Sequence, residues 1–352
     1  MWIFFRFISE IYLKNFFIIF LSLIGFYCGI DLLLNFKDLP QSVNLQLLYT
    51  VFLACSAVPY ILPLSIVFAF ILSLISMIRT NEFVSFYALG ISKNLVVIFP
   101  FLWALFFCCI YIGLNFTSFA YANDYKKNIL KNGVLNKQGG EVFLKFNNDF
   151  VYISKINNGQ NSVQNIKIFD LNNSTLNSFV EAKTASFKDG NWILKDGNST
   201  TLPKEYILGA KGLDVQEFKE LSALEGFKPK IIESVASNSN YSILDAWESL
   251  KLFKDQNISI ETLKINLYKL IFMPFFAPFL MLIMYYYFPV ISRFFNLAFV
   301  AFVAFIVTLL SWGLLFLFSR LSENGVIISE IGIVLPIVLL GFFSLMKFYK
   351  NR

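Results

Sequence analysis

The sequence predicts an α-helical membrane protein with six transmembrane helices and an all-β, jellyroll-like domain inserted between helices 3 and 4. Three observations predict it. Of the 352 residues, 57% are hydrophobic and 15% charged, against about 45–50% and about 25% in soluble domains. The apolar residues fall into blocks long enough to cross a bilayer. Between the third and fourth blocks lies a polar stretch punctuated by Asn and Gly, in which apolar residues alternate.

Residues 1–14 interleave aromatics with Arg6, Glu10 and Lys14 and read as an amphipathic lead-in at the interface. Helix 1 follows from about Asn15 to Leu34; it exceeds a signal h-region and no A-x-A site follows it, so it reads as retained. Gln41 to Ile78 carries no charge. Pro59 and Pro63 are expected to break that run into an outer segment and helix 2, about Pro59–Ile78. Helix 3 is expected from about Leu95 to Phe116, and helices 4, 5 and 6 over about Leu267–Phe288, Phe294–Phe318 and Ile327–Leu345.

The polar region reads as β-rich. Glu141–Phe146 and Phe150–Lys155 form a hairpin pattern around Asn147-Asn148-Asp149. Ile166–Phe169, Phe179–Phe187 and Trp192–Leu194 follow as strands, with Lys188-Asp189-Gly190-Asn191 as a turn. The pattern suits one antiparallel sandwich or an open, barrel-like sheet. A helix over Ile243–Lys254 is expected to start on a Ser242 cap with Asp245 three residues on. The expected divisions are 1–118 for helices 1–3, 119–241 for the β domain, 242–262 for a connecting helix and 263–352 for helices 4–6.

Charge sets the expected orientation. With the amino terminus in the cytoplasm, inside segments hold Arg6, Lys14, Arg79, Lys93, Arg293, Lys347, Lys350 and Arg352, and short outer loops hold only Lys37 and Arg320. That is a positive-inside bias; both termini then face the cytoplasm and the β domain lies outside it. The net charge of +6 resides in the membrane part, so a basic nucleic-acid surface is a poor reading.

Several chemistries are excluded. The chain has no histidine, no GxxxxGK[ST] loop, and no cysteine in its polar region; Cys28, Cys55, Cys108 and Cys109 all lie in apolar runs. No catalytic or metal-ligating set stands out. Asp31, Lys269 and Glu330 fall near helix ends rather than at mid-membrane, where ion-driven transporters carry such groups. The chain is therefore either a passive scaffold or takes its driving force from a partner.

The entry point for such a force is Arg79–Ser92, RTNEFVSFYALGIS, between helices 2 and 3. Asn81 could cap a short helix that starts at Glu82 and closes at Gly90. An ordinary polar turn fits the residues equally well.

This pattern resembles the LptF/LptG (YjgP/YjgQ) family of lipopolysaccharide export permeases. The likeness rests on the six-span layout with a β insert, on NEFVSFYALGIS over Asn81–Ser92, and on Pro59, Pro63 and Pro100. NNDFVYI (Asn147–Ile153) and KDGNWIL (Lys188–Leu194) are more similar to the G-type member. The resemblance implies a multi-pass protein of the bacterial inner membrane with a periplasmic β-jellyroll. It implies the permease subunit of an ABC-type transporter that extracts lipopolysaccharide and passes it to a periplasmic bridge. The chain would bind no cofactor, and ATP would be hydrolysed by a separate cytoplasmic ABC ATPase dimer (LptB-like). Other implied partners are a sibling permease (LptF-like), paired through helices 1 and 5, and periplasmic LptC/LptA-like jellyroll proteins. Residues 80–91 would be the coupling helix, with Arg79, Glu82, Ala88 and Gly90 at the ATPase contact.

A site for a polyanionic lipid needs an apolar wall and cations at its outer rim. Asn35 stands where family members often carry a basic residue; Lys37, Lys126, Lys127 and Lys131 supply cations nearby, though solvated lysines would look the same. Phe143, Phe146, Val151, Ile153, Ile166, Ile168, Phe179 and Trp192 are candidate inward residues of the jellyroll; a plain sandwich core predicts the same alternation. The other class of function consistent with the layout is a non-transporting membrane scaffold or receptor with a ligand-binding ectodomain.

Overall fold

A computed structural model describes residues 2–133, 138–139, 142–146, 149–157, 162–172, 175–188, 190–203, 212–227, 229, 241–254, 261–291 and 296–351. It divides into two compact units, Met1–Lys126 with Glu261–Arg352, and Lys127–Ile260.

The first unit holds six helices long and apolar enough to span a membrane: Trp2–Leu34, Val43–Arg79, Lys93–Leu114, Leu263–Tyr285, Leu297–Glu323 and Glu330–Lys350. Helix α1 (Trp2–Leu34) is continuous, which corrects the expectation of a separate lead-in. Ile8, Tyr12 and Phe16, each four residues apart, form one buried stripe that runs from the lead-in into the span. Polar pegs fix it: Trp103 Nε1 donates to Ser9 Oγ at 3.0 Å, and Asn15 Nδ2 donates to Ser73 Oγ at 2.8 Å. The charged Glu10 and Lys14 stay on the exposed side.

Helix α2 (Val43–Arg79) is also continuous over 37 residues, with Pro59 and Pro63 inside it. This too is a correction. Each proline forfeits a backbone bond, at about 3 kcal/mol in an exposed helix. Most of the apolar stretch of α2 is buried among its neighbours, so packing holds the rod across its weak points. At 1.5 Å per residue it is about 56 Å long, well beyond a hydrocarbon core of about 30 Å. It therefore crosses once and projects beyond the core, and the total of six spans stands.

A short helix α3 (Glu82–Ala88) follows, then α4 (Lys93–Leu114), whose Ser92 cap accepts from Leu95 N at 3.4 Å. Helix α5 (Ala122–Asn132) leads out of the span. The expected Leu267–Phe288 span is segmented into α7 (Glu261–Ile271), a 3-10 turn Met273–Phe275, and α8 (Phe276–Tyr285), with Pro274 and Pro278 at the joint. Helix α9 covers Leu297–Glu323. A π-helical turn Glu330–Val334 opens α10 (Leu335–Lys350). The buried core gathers round α2, with Ile66, Phe70 and Leu74 joined by Tyr12, Phe16, Phe276 and Met281.

The second unit is an antiparallel sheet. Its strands are β1 (Gln138–Gly139), β2 (Val142–Phe146), β3 (Asp149–Asn157), β4 (Ser162–Asn172), β5 (Thr175–Lys188), β6 (Asn191–Thr201) and β7 (Asp214–Ala223). The order is β1-β3-β4-β5-β6-β7, with β2 also on β3. From β2 onward each strand pairs with the next in sequence, so the described residues make a meander without the crossover of a Greek key. The registers Phe146↔Asp149 and Lys188↔Asn191 match both expected turns; Asn147, Asn148 and Asp189 themselves lie outside the described residues.

Phe146, Val151, Ile153, Ile166, Ile168 and Trp192 are buried as expected of inward residues. Phe143 and Phe179 are not. Phe143 is 62% exposed and stacks on Phe150, and Phe179 pairs with Phe169 on the other face from Ile168 and Val180. Strict alternation fails along β4 and β5. Buried positions there step by three, from Ile166 to Val163 and from Ala182 to Ala185. Asn165 and Asp196, both with φ at 52°, lie on that line and turn the backbone so that the next strand segment presents the opposite parity. Helix α6 (Ile243–Lys254) starts as expected, Asp245 N donating to Ser242 Oγ at 3.1 Å.

Candidate functional site

The Arg79–Ser92 stretch folds as a helix with two distinct faces. Asn81 precedes it but does not cap it through its side chain; it sits in the left-handed region at φ 59° and turns the chain from α2 into α3. Asparagine tolerates that conformation better than most residues. At the other end Gly90 has φ +77°. Gly90 N donates to Tyr87 O and Ile91 N to Phe86 O, both at 3.0 Å, which is a Schellman closure that needs a left-handed residue. A Cβ at Gly90 would meet nothing within 4 Å. Glycine is thus required by the backbone there and not by a close neighbour.

The inward face carries Phe83, Phe86 and Tyr87, which sequence reasoning did not single out. Phe83 is buried beside Tyr285, with ring centroids 6.3 Å apart. Phe86 meets Phe4 edge-on at 4.9 Å. The Tyr87 and Tyr285 hydroxyls lie 3.4 Å apart, and Tyr285 OH donates to Lys93 O at 2.8 Å. Burial pushes the Tyr87 phenol above its ordinary pKa, and the Tyr285 contact partly opposes this. A parallel chain runs from Tyr286 OH to Asn94 Oδ1 at 2.8 Å and from Asn94 Nδ2 to Phe348 O at 2.9 Å. The helix is therefore seated on α1 and the end of α8, Tyr285 links that seat to the start of α4, and the second chain ties α4 to α10.

The outward face is open. Val84, Ser85, Ala88 and Leu89 are exposed, the last by 77%, together with Arg79 and Gly90. Glu82 is half-buried; its Oε2 is enclosed and has no hydrogen-bond partner. An enclosed carboxylate oxygen without a donor is costly, and it is not itself open to a second surface.

The rim candidates are placed differently from one another. Lys126 Nζ lies 2.7 Å from Asp31 Oδ2, with the two side chains only 13% and 17% exposed. Tyr49 OH donates to Asp31 Oδ1 at 2.5 Å, and Asn35 Nδ2 donates to the same oxygen and to Asp31 O, both at 3.0 Å. Asn35 and Lys126 are thus brought together through Asp31. Lys37 is exposed in the 3-10 turn Phe36–Asp38. Lys127 and Lys131 are exposed on α5, four residues apart. A further polar cluster joins α7, α9 and α10: Lys264 bridges Glu261 and Glu330, Ser329 Oγ reaches both carboxylates, and Glu323 binds Lys269 and Arg320. Among the described residues no group of three or more Cys, Asp or Glu is arranged to hold a metal ion.

A comparison with curated proteins returned no match. A family model described as "Lipopolysaccharide export system permease LptF/LptG" matches residues 6–350.

Proposed function

Because the chain belongs to the lipopolysaccharide export permease family LptF/LptG, we propose that it is the membrane subunit through which a cytoplasmic ABC ATPase dimer drives lipopolysaccharide out of the inner membrane toward a periplasmic bridge. The multi-pass, inner-membrane character follows from the family and the six apolar helices. In this reading both termini and α3 face the cytoplasm, the β unit faces the periplasm, a sibling permease completes the membrane part, and this chain takes the G-type place.

The two-faced α3 carries the reading. Its inward face touches α1 through Phe86 and α8 through Phe83 and Tyr87, and Tyr285 passes the contact on to the start of α4, so a push on it is delivered to two helices directly and to the third through Tyr285. Its outward face offers Val84, Ala88 and Leu89 to a groove, with the half-buried Glu82 at its start. A loop that merely joined two spans would gain nothing from such an exposed apolar stripe. Arg79, Ala88 and Gly90 lie at the same open surface.

The test is Glu82→Lys in the full chain, with co-purification of the ATPase and lipopolysaccharide export measured together. The expected result is loss of the ATPase at least ~10-fold, the scale of one buried charge-assisted contact, and loss of export. Full co-purification with normal export would sink the coupling role.

A further inference from the structure

We propose that Asp31 is a built-in rival of the substrate: its carboxylate holds Lys126 in the place a phosphomonoester of the lipid headgroup would take, and the two anions alternate on that one cation. The inference rests on the permease reading and adds to it how the headgroup is let go.

The bonding of the pair is asymmetric. Asp31 keeps two neutral donors, Tyr49 OH and Asn35 Nδ2, whether or not Lys126 is present. Lys126 has less to fall back on. Among the described residues its ion-pair partner is Asp31, and otherwise it lies 5.8 Å from the Tyr27 ring centre. Separating the pair leaves the carboxylate hydrogen-bonded and the ammonium bare in a largely enclosed place. A bare, enclosed cation demands another anion. A phosphomonoester carries up to two charges and three acceptor oxygens, so it outbids a single carboxylate for a lysine.

The surroundings suit an amphiphile. Ile30, Leu33, Leu34 and Phe36 are exposed at the end of α1 that carries Asp31 and in the turn after it, and give acyl chains an apolar surface at that end of the helix. Lys37 is exposed in the same turn. Asp31 and Tyr49 belong to α1 and α2, which pack along each other, whereas Lys126 belongs to α5 beyond α4. Any shift of the α1–α2 hairpin against α4 and α5 parts the ion pair and presents Lys126. The ATP-driven return stroke brings Asp31 back against Lys126, and it is that stroke, not a stronger bond, that supplies the free energy to displace the phosphate.

The test uses the full chain with its co-purifying partners and reads the lipopolysaccharide retained, and then released on adding ATP, for Asp31→Asn, Tyr49→Phe, Lys126→Gln and the Asp31→Asn/Lys126→Gln pair. Asp31→Asn is expected to raise retention about 10-fold, one charge-assisted bond's worth, and to slow ATP-driven release. Tyr49→Phe strips a donor from Asp31, strengthens its claim on Lys126 and is expected to lower retention. A merely structural cluster would move both variants the same way. Lys126→Gln and the double variant are expected to bind alike, since the rival matters only while the lysine is there. Lipopolysaccharide with its phosphates removed is expected to show no gain in Asp31→Asn. The proposal is overturned if Asp31→Asn retains no more than the wild type, if Tyr49→Phe shifts in the same direction, or if millimolar inorganic phosphate displaces the lipid from Asp31→Asn completely, which would assign the site to free phosphate. Failure of the wild type to retain lipopolysaccharide at all would bring down the permease reading as well. Retention by the wild type with no effect of Asp31→Asn would bring down the rivalry alone.

Discussion

Gly332 and Ser322 offer a sharp test of how the last two spans are joined. Gly332 lies in the π-helical turn that opens α10. A Cβ there would sit 2.0 Å from Ser322 Oγ, 3.1 Å from Phe318 O and 3.4 Å from Ser322 Cβ. The first contact is impossible and the second is tight, so Gly332→Ala forces α9 and the turn apart, at a cost of roughly 1–3 kcal/mol for overpacking. Ser322 Oγ is itself buried without a hydrogen-bond partner. Ser322→Ala removes that group and is expected to be neutral or stabilising by up to about 1 kcal/mol. It also clears the 2.0 Å clash and leaves the Phe318 carbonyl as the remaining tight contact, with the Cβ of residue 322 at ordinary van der Waals distance. The two changes are therefore expected to be non-additive, the double variant recovering at least about 1 kcal/mol of the loss. The assay is thermal unfolding in mild detergent, followed by the reaction of a thiol dye with the buried Cys28 and Cys108 in a background where the exposed Cys109 and half-buried Cys55 are replaced by Ser. A destabilising Ser322→Ala, or additive single effects, would refute the reasoning.

Two further outcomes follow from the same geometry. Tyr285→Phe keeps the ring against Phe83 and removes the hydroxyl that donates to Lys93 O; ATPase co-purification is expected to persist while lipopolysaccharide released per ATP hydrolysed falls several-fold, and an unchanged ratio would remove Tyr285 from the transmission path. In the β unit, Asp149 and Asp170 face each other across β3 and β4; burial first, and Asp170 second, raise the Asp149 pKa. A carboxyl whose folded pKa is raised stabilises below its unfolded pKa and loses that contribution as pH rises through the folded value. Hydrogen exchange of the β3 and β4 amides, corrected for intrinsic rate, is therefore expected to show more protection at pH 4 than at pH 7, and Asp149→Asn to reduce the difference.

Much of the architecture was legible because the bilayer imposes coarse rules. Six apolar blocks, their flanking charges and the turn signals of the insert are local features, and they fall where the helices and strands are. The misreadings arose where distant contacts overrule local ones. Residues 1–14 looked interfacial on account of Glu10 and Lys14, but Tyr12 and Phe16 straddle that lysine on a single stripe that α2 covers. Pro59 and Pro63 break an exposed helix, yet enclosure keeps α2 whole. Phe179 fits an inward period of two counted from Ala185, which the Asn165–Asp196 line interrupts, whereas Phe143, three residues from the buried Phe146, falls on the opposite face of β2 by the alternation itself. Asp31 was visible only as an acid near a helix end; its partners Tyr49 and Lys126 are 18 and 95 residues away, and no spacing rule joins them. The short helix between α2 and α4 was legible in the sequence, whereas the aromatics that anchor it were hidden among 43 phenylalanines.

The unbroken α2 has a consequence for how the chain is inserted in the first place. From Gln41 to Ile78 no charge interrupts it, which is enough apolar chain for two short passes threaded as a hairpin as easily as one long pass. A translocon that chose the hairpin would deliver everything downstream to the wrong side. Arg79, at the far end, and Lys93, just beyond α3, bracket the turnaround with positive charge and resist translocation. In the proposed orientation the two residues that bracket α3 are also expected to act as a topogenic anchor, so that insertion and the proposed coupling fall on the same short stretch of chain.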